Sequence, residues 1–208
     1  MNAFWEGLIA GYGIAIPVGA IAVLIVDLAL RRGFRLGFAA GAGAASADLL
    51  YAGAAVIAGA AFASALRPFA APLAVTGGMV LVFLGLRGVW RARSQADGAE
   101  ERSEDGRARG RVYLQFLGLT LLNPLTIVYF AALVLGGSLG EVWSVSDGLW
   151  FVLGAGLASL SWQSLLAGIG AQLGRRISDR ARRATTIIGS LVVVALGLRL
   201  LIHAILGG

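Results

Sequence analysis

Few side chains in this sequence could do chemistry, and they lie where polar groups are expensive. Asp48 sits well inside the apolar run that opens after Leu36. As helix, the rise from Leu36 to Asp48 is about 18 Å at 1.5 Å per residue, near the middle of a bilayer. A carboxyl group at that depth must face protein or water, and it marks a function by default. Burial makes its anion costly, so it suits the exchange of a proton or the pairing of a substrate cation. The bland alternative is a hydrogen bond between two helices. Tyr51 shares its face, together with Gly41, Ala44, Ala45, Ala52 and Ala55, at helical spacing. That face is otherwise smooth and can pack closely on a neighbour.

A second polar set follows. Ser161, Gln163 and Ser164 lie in one apolar run, and Asn123, Thr126 and Tyr129 in another. These groups suit an α-amino or α-carboxyl group. Equally, hydroxyls can simply satisfy helix backbones. Beside Asn123 stands Pro124, and an earlier run holds Ile16-Pro17-Val18-Gly19. Proline removes a backbone donor and kinks or breaks a helix. Lipid does not satisfy the freed carbonyl, so such a break belongs against protein or a water-filled cavity.

The elements that must position these residues are membrane helices. Of 208 residues, 58% are hydrophobic and 13% charged, whereas soluble domains are about a quarter charged. Six segments, at about 4–27, 37–63, 69–90, 113–137, 147–172 and 185–206, reach the roughly 20 residues a bilayer core needs. The N-terminal Met-Asn-Ala-Phe-Trp-Glu has no basic region, so the first segment reads as a retained span and not a cleaved signal.

All 17 basic residues are arginine, and 14 of them fall in the connections 28–36, 91–111 and 173–184. The opposite face has Glu6, Arg67, Glu141 and Asp147. The positive-inside bias places the Arg-rich loops in the cytoplasm and both termini outside. It also explains the net charge of +6 without nucleic acid. Residues 94–110 mix both charges and read as a flexible cytoplasmic linker. Asp27, four residues before Arg31, reads as an i,i+4 ion pair.

The linker joins two repeats, 1–90 and 112–208. Gly41-Ala-Gly-Ala-Ala-Ser46 recurs as Gly154-Ala-Gly-Leu-Ala-Ser159. Gly77, Val80, Val82, Leu84, Gly85, Leu86 and Arg87 recur, at almost the same offset, as Gly189, Val192, Val194, Leu196, Gly197, Leu198 and Arg199. Three spans per repeat force opposite orientations. The expected fold is therefore an all-α integral membrane protein with six transmembrane helices as an inverted 3+3 repeat. Pro17 and Pro124 interrupt the first span of each half, and paired interruptions point to a transport site. Ser161 is the repeat mate of Asp48.

Cysteine is absent and histidine occurs once, as His203. There is no Walker loop, HExxH or GxSxG. An enzyme is not expected, nor a cofactor or a resident metal. Transport must then run on an ion gradient.

The run IPVGAIAVLIVDLALRRGFRLGFAAGAGAASADLLYAGAA, with LTLLNPLTIVYFAALV later, resembles the lysine-exporter family of the LysE/RhtB type. The resemblance covers nearly the whole chain. It implies a bacterial inner-membrane exporter of amino acids or close derivatives, driven by the proton gradient. Pro17, Asp48, Asn123 and Pro124 are the family-type positions it implies. Members often carry a Gly-Pro-Gly-Pro-like run where this chain has Ile16-Pro17-Val18-Gly19, so no particular substrate is carried across.

The expected pathway for substrate and proton comprises Asp48, Pro17, Gly19, Asn123, Pro124, Thr126, Tyr51, Ser161 and Gln163. Two other classes compete. A passive six-span pore would want two matching Asn-Pro-Ala loops, and the chain has one Asn-Pro and one Ile-Pro. A metal-ion exporter would want soft ligands, which are nearly absent. Carriers of this size can form homodimers, but no interface is legible in the sequence.

Overall fold

A computed structural model describes residues 2–17, 19–93, 106–135, 144–176 and 178–206, and every regular element among them is helical. The first apolar segment holds α1 (Asn2–Ala15) and α2 (Ala20–Arg32). The second is α3 (Phe34–Leu66), and a 3-10 turn at Arg67–Phe69 leads into α4 (Ala70–Arg93). Then come α5 (Gly106–Leu121), α6 (Pro124–Leu135), α7 (Val145–Arg176) and α8 (Asp179–Leu206).

The segments expected as single spans at about 4–27 and 113–137 are each two helices. The chain leaves α1 after Ala15 and resumes helix at Ala20, with the two axes 79° apart. Pro17 sits between them. In the other half α5 stops at Leu121 and Pro124 opens α6, a position where its missing N–H leaves no bond unmade. Gly33, at φ +87°, stops α2 by donating its N–H to the carbonyl of Ala29. The chain then enters α3 after this single positive-φ residue, a conformation glycine adopts without strain.

Helices also run further into the basic connections than expected. α2 reaches Arg32, α4 Arg93 and α7 Arg176, while α5 begins at Gly106 and α8 at Asp179. Arginine is a good helix former, and a last helical turn favours cations. Residues 106–111, expected as linker, are therefore helix. The remaining linker, 94–105, lies outside the described residues, as do 136–143 with Glu141.

Among the described residues four helical stretches are long and apolar enough to cross a membrane: Phe34–Ile57, Pro72–Trp90, Val145–Arg176 and Arg183–Ile202. The bent pair α1–α2 makes a fifth if it counts as one span. Of the six expected, the remaining one is divided between α5, of 16 residues, and α6, of 12.

Lipid gives apolar helices no hydrophobic reason to associate, so close packing of small residues must hold them. The long helices α3 and α7 pack on each other at the centre. Gly43 of α3 lies against the Tyr113 carbonyl of α5, and Gly154 of α7 lies against the Phe4 carbonyl of α1. Gly170 and Gly174 of α7 take the carbonyls of Val26 and Leu30 on α2 in the same way. A Cβ at any of these would strike backbone. Hydroxyl bonds accompany the close contacts: Tyr113 donates to Ser46 at 2.9 Å, and Tyr12 pairs with Ser161 at 2.8 Å.

The contact between α4 and α8 is reciprocal. Gly85 packs on Ser190 and Val194, and Gly197 packs on Gly78 and Val82. In the recurring sequence Gly85, Gly78 and Val82 stand where Gly197, Ser190 and Val194 stand. The two contacts thus match residue for residue.

Overpacking a closed site costs about 1–3 kcal/mol. Gly85→Val and Gly197→Val are each expected to lower unfolding stability in detergent by that amount, and equally. Gly53, where an added Cβ meets nothing within 4 Å, is the control, with Gly53→Val within about 0.5 kcal/mol of the parent. Costs at Gly85 or Gly197 no larger than at Gly53 would contradict the packing described.

Candidate functional site

The two helix breaks face one cavity of about 240 Å³, which would hold on the order of eight waters at ~30 Å³ each. The first break contributes Gly13, Ala15, Pro17, Gly19 and Ile21. Before it, Ile16 N–H still bonds the Tyr12 carbonyl at 2.9 Å, so α1 ends with its last turn closed. After it, Gly19 caps α2 in an extended conformation with no side-chain hydrogen bond. The amides of the first α2 turn therefore have no partner within the helix.

The second break contributes Thr120, Asn123, Thr126 and Tyr129. Asn123 N–H turns back to the Thr120 carbonyl at 3.1 Å, and the Asn123 carbonyl accepts from Thr126 N–H at 3.1 Å. The backbone of Pro124 starts α6, while its side chain lies outside the described residues. Two tyrosines satisfy carbonyls beside the breaks. Tyr51 donates to the Leu121 carbonyl at 2.6 Å, where α5 ends. Tyr129 donates to the Ala10 carbonyl at 2.8 Å. Gly13 makes room for that hydroxyl, since a Cβ there would overlap it.

The central helices close the cavity. Asp48, with Ala44 one turn before it, lines it from α3, and Gln163 lines it from α7. Asp48 is only 4% exposed and accepts a hydrogen bond from Ser159 at 2.6 Å. That bond joins α3 to α7. Gln163, one turn past Ser159, is 6% exposed, and its Oε1 is buried without a protein partner. Thr120 Oγ1 is likewise buried and unpartnered. Buried polar atoms are almost always bonded, and two orphans on one cavity wall fit a space that holds something polar.

Asp48, Pro17, Gly19, Asn123, Thr126 and Gln163 thus come together at this cavity. Tyr51 and Ser161 do not line it. Tyr51 supports the wall, bonded to Leu121 and stacked on Phe130 at 6.0 Å between ring centroids. Ser161 lies exposed against Tyr12. Thr120, Gly13 and Ala44 also line the cavity, and Ser159 reaches it only through Asp48; none of the four is among the residues expected for the pathway. Ser159 had a signal, since it stands four residues before Gln163 and closes the recurring Gly-Ala-Gly motif.

The polar part of the lining carries no cation. One carboxyl, the two side-chain amides of Asn123 and Gln163, and several hydroxyls line the cavity, and no basic side chain does. Such a lining suits a proton or an ammonium group, with hydroxyls and α2 amides able to meet a carboxylate. Among the described residues no three His, Cys, Asp or Glu side chains come together as a metal site would need.

Comparison with known proteins bears on the same stretch of chain. The profile of the family described as LysE type translocator matches residues 13–204. A protein of Aeromonas salmonicida named as a putative amino-acid transporter, YggA, is 32% identical over 205 residues, covering 97% of this chain and 96% of that protein. The arginine exporter protein ArgO of Enterobacter sp. (strain 638) is 28% identical over 196 residues, covering 92% and 88%. The ArgO of Pectobacterium atrosepticum is 24% identical over 201 residues, covering 96% and 97%. No solved structure matches the chain.

Proposed function

The chain belongs to the LysE type translocator family, and we propose that it exports amino acids or close derivatives from the bacterial cytoplasm in exchange for protons. It is a transporter and not an enzyme. The observation that carries the mechanism is the buried carboxyl of Asp48, the one carboxyl lining a cavity that two helix breaks form and no basic side chain enters. Within that cavity a proton and the substrate's ammonium compete for one group. Arrival of a proton from outside displaces the ammonium. Loss of the proton inside frees the carboxylate for the next substrate. Relatives named as arginine exporters make basic amino acids the first substrates to test.

The proposed architecture is an inverted repeat of three spans each, α1–α2 with α3 and α4, and α5–α6 with α7 and α8. Supporting it, α1 packs on α7 as α5 packs on α3, and α2 on α7 as α6 on α3. The reciprocal contact of α4 with α8 has the same symmetry. Alternating access then consists of rocking one repeat against the other around Asp48 and Ser159, the general motion of such folds. The arginine-rich connections face the cytoplasm and both termini face outward, in an inner-membrane protein.

The efflux experiment uses vesicles preloaded with labelled amino acids, with and without a proton gradient. Gradient-driven release of particular amino acids is expected, falling to the level of empty vesicles in Asp48→Asn. Ser159→Ala is expected to lower it roughly tenfold, the loss of one hydrogen bond to a charged group. Intact coupled efflux in Asp48→Asn would remove the role given to this residue.

Topology can be read by thiol labelling, because the chain has no cysteine of its own. Ser103→Cys is expected to react only from the cytoplasmic side, and Asn2→Cys and Gly208→Cys only from outside. Termini on opposite sides would rule out six spans.

A further inference from the structure

A second cavity, of about 460 Å³, lies between α2, α4 and α5 and takes no part in the site above. Four arginines line it, Arg31, Arg32, Arg87 and Arg111, against one carboxylate, Asp27. Arg31 donates to Asp27, which uses up that carboxylate's charge within the cavity. The cavity is therefore strongly cationic, the reverse of the first.

Its lining is graded along all three helices. On α4, Arg87 stands four residues past Phe83, about 6 Å nearer the helix end. On α2, Arg31 and Arg32 follow Leu24 and Leu28, again toward the helix end. α5 begins at this side of the molecule, so its order is reversed, with Arg111 first and Phe116 deeper. Each helix thus offers a guanidinium at one level and apolar carbon about a turn below. Phe83 is 60% exposed, so the apolar floor opens on the face of α4 that meets the bilayer.

We infer that this cavity seats an anionic phospholipid, its phosphate among the guanidinium groups and the start of its acyl chains on Phe83 and Leu28. Guanidinium forks match phosphate oxygens, and basic pockets between membrane helices take acidic head groups. A soluble anion would use the arginines but not the apolar floor. A cationic amino acid would be repelled by a lining in which arginines outnumber the one carboxylate, itself paired with Arg31. A zwitterionic lipid would bring a cation to a place already crowded with them. The site stands apart from the export reading, since neither Asp48 nor the helix breaks enter it.

The test uses the full-length chain in neutral detergent, titrated with phosphatidylglycerol, phosphatidylcholine, inorganic phosphate or arginine. Retained lipid and the unfolding midpoint are measured together. Phosphatidylglycerol is expected to be retained and to raise the midpoint, and the other three to do neither at equal concentration. Arg87→Gln and Arg111→Gln are each expected to weaken phosphatidylglycerol retention about fivefold, and Arg87→Lys to keep most of it. Arg175→Gln, on exposed α7 surface outside the cavity, is expected to leave retention unchanged. Equal retention of the two lipids, equal protection by phosphate or arginine, or undiminished retention in the Arg87→Gln and Arg111→Gln variants would each overturn the assignment.

Discussion

Lipid offers a broken helix no hydrogen bonds, and the rest of this structure depends on how the chain supplies its own. Both breaks, after Ala15 and after Leu121, leave carbonyls and amides without helical partners. Tyr51 reaches from α3 to the Leu121 carbonyl, and the Asn123 backbone closes the turn between α5 and α6. Tyr51 sits on a different helix from the break it serves, so the second break keeps that bond only while α3 stays packed beside it. Small residues allow that packing, since Gly43 and Gly154 let whole backbones touch. What the breaks then enclose is a polar space in an apolar molecule, and Asp48 is its charge.

Much of this was legible in the residues. Pro17 and Pro124 announced interruptions because proline removes a donor wherever it stands. Asp48 announced a buried carboxyl because the helical rise from Leu36 fixes its depth. The apolar runs told where helices lie but not where they divide, since hydropathy does not sense a missing backbone bond. Ser161 shows a second limit. The repeat pairs it with Asp48, yet Asp48 bonds Ser159. Two residues along a helix is about 200° of rotation, so these serines point to opposite sides of α7. A repeat equates positions in the two halves; it does not say that equated positions touch. Thr120 was invisible for a third reason. A threonine in an apolar run looks like any backbone-satisfying hydroxyl until a cavity is found beside it.

Two cavities of opposite character share α2 as a wall. Ile21 and Ala22 line the one that holds Asp48, and Arg31 and Arg32 the cationic one, nearer the other end of the helix. The first break frees the start of α2 from α1, while Gly170 and Gly174 of α7 hold its far half through close backbone contact. α2 is thus anchored at its basic end and unanchored by α1 at the cavity. In the export reading, that is the geometry needed for a helix that moves at the substrate and stays fixed at the membrane surface.

In the export reading a proton and an amino acid compete for Asp48. The most direct measurement of that competition is the proton released when substrate binds the purified protein in weak buffer, followed over a series of pH values. The expected result is proton release that rises toward one for each amino acid bound as the pH is lowered and Asp48 is protonated before binding, and none in Asp48→Asn. Full binding of the amino acid to the parent protein with no proton released at any pH would contradict the account.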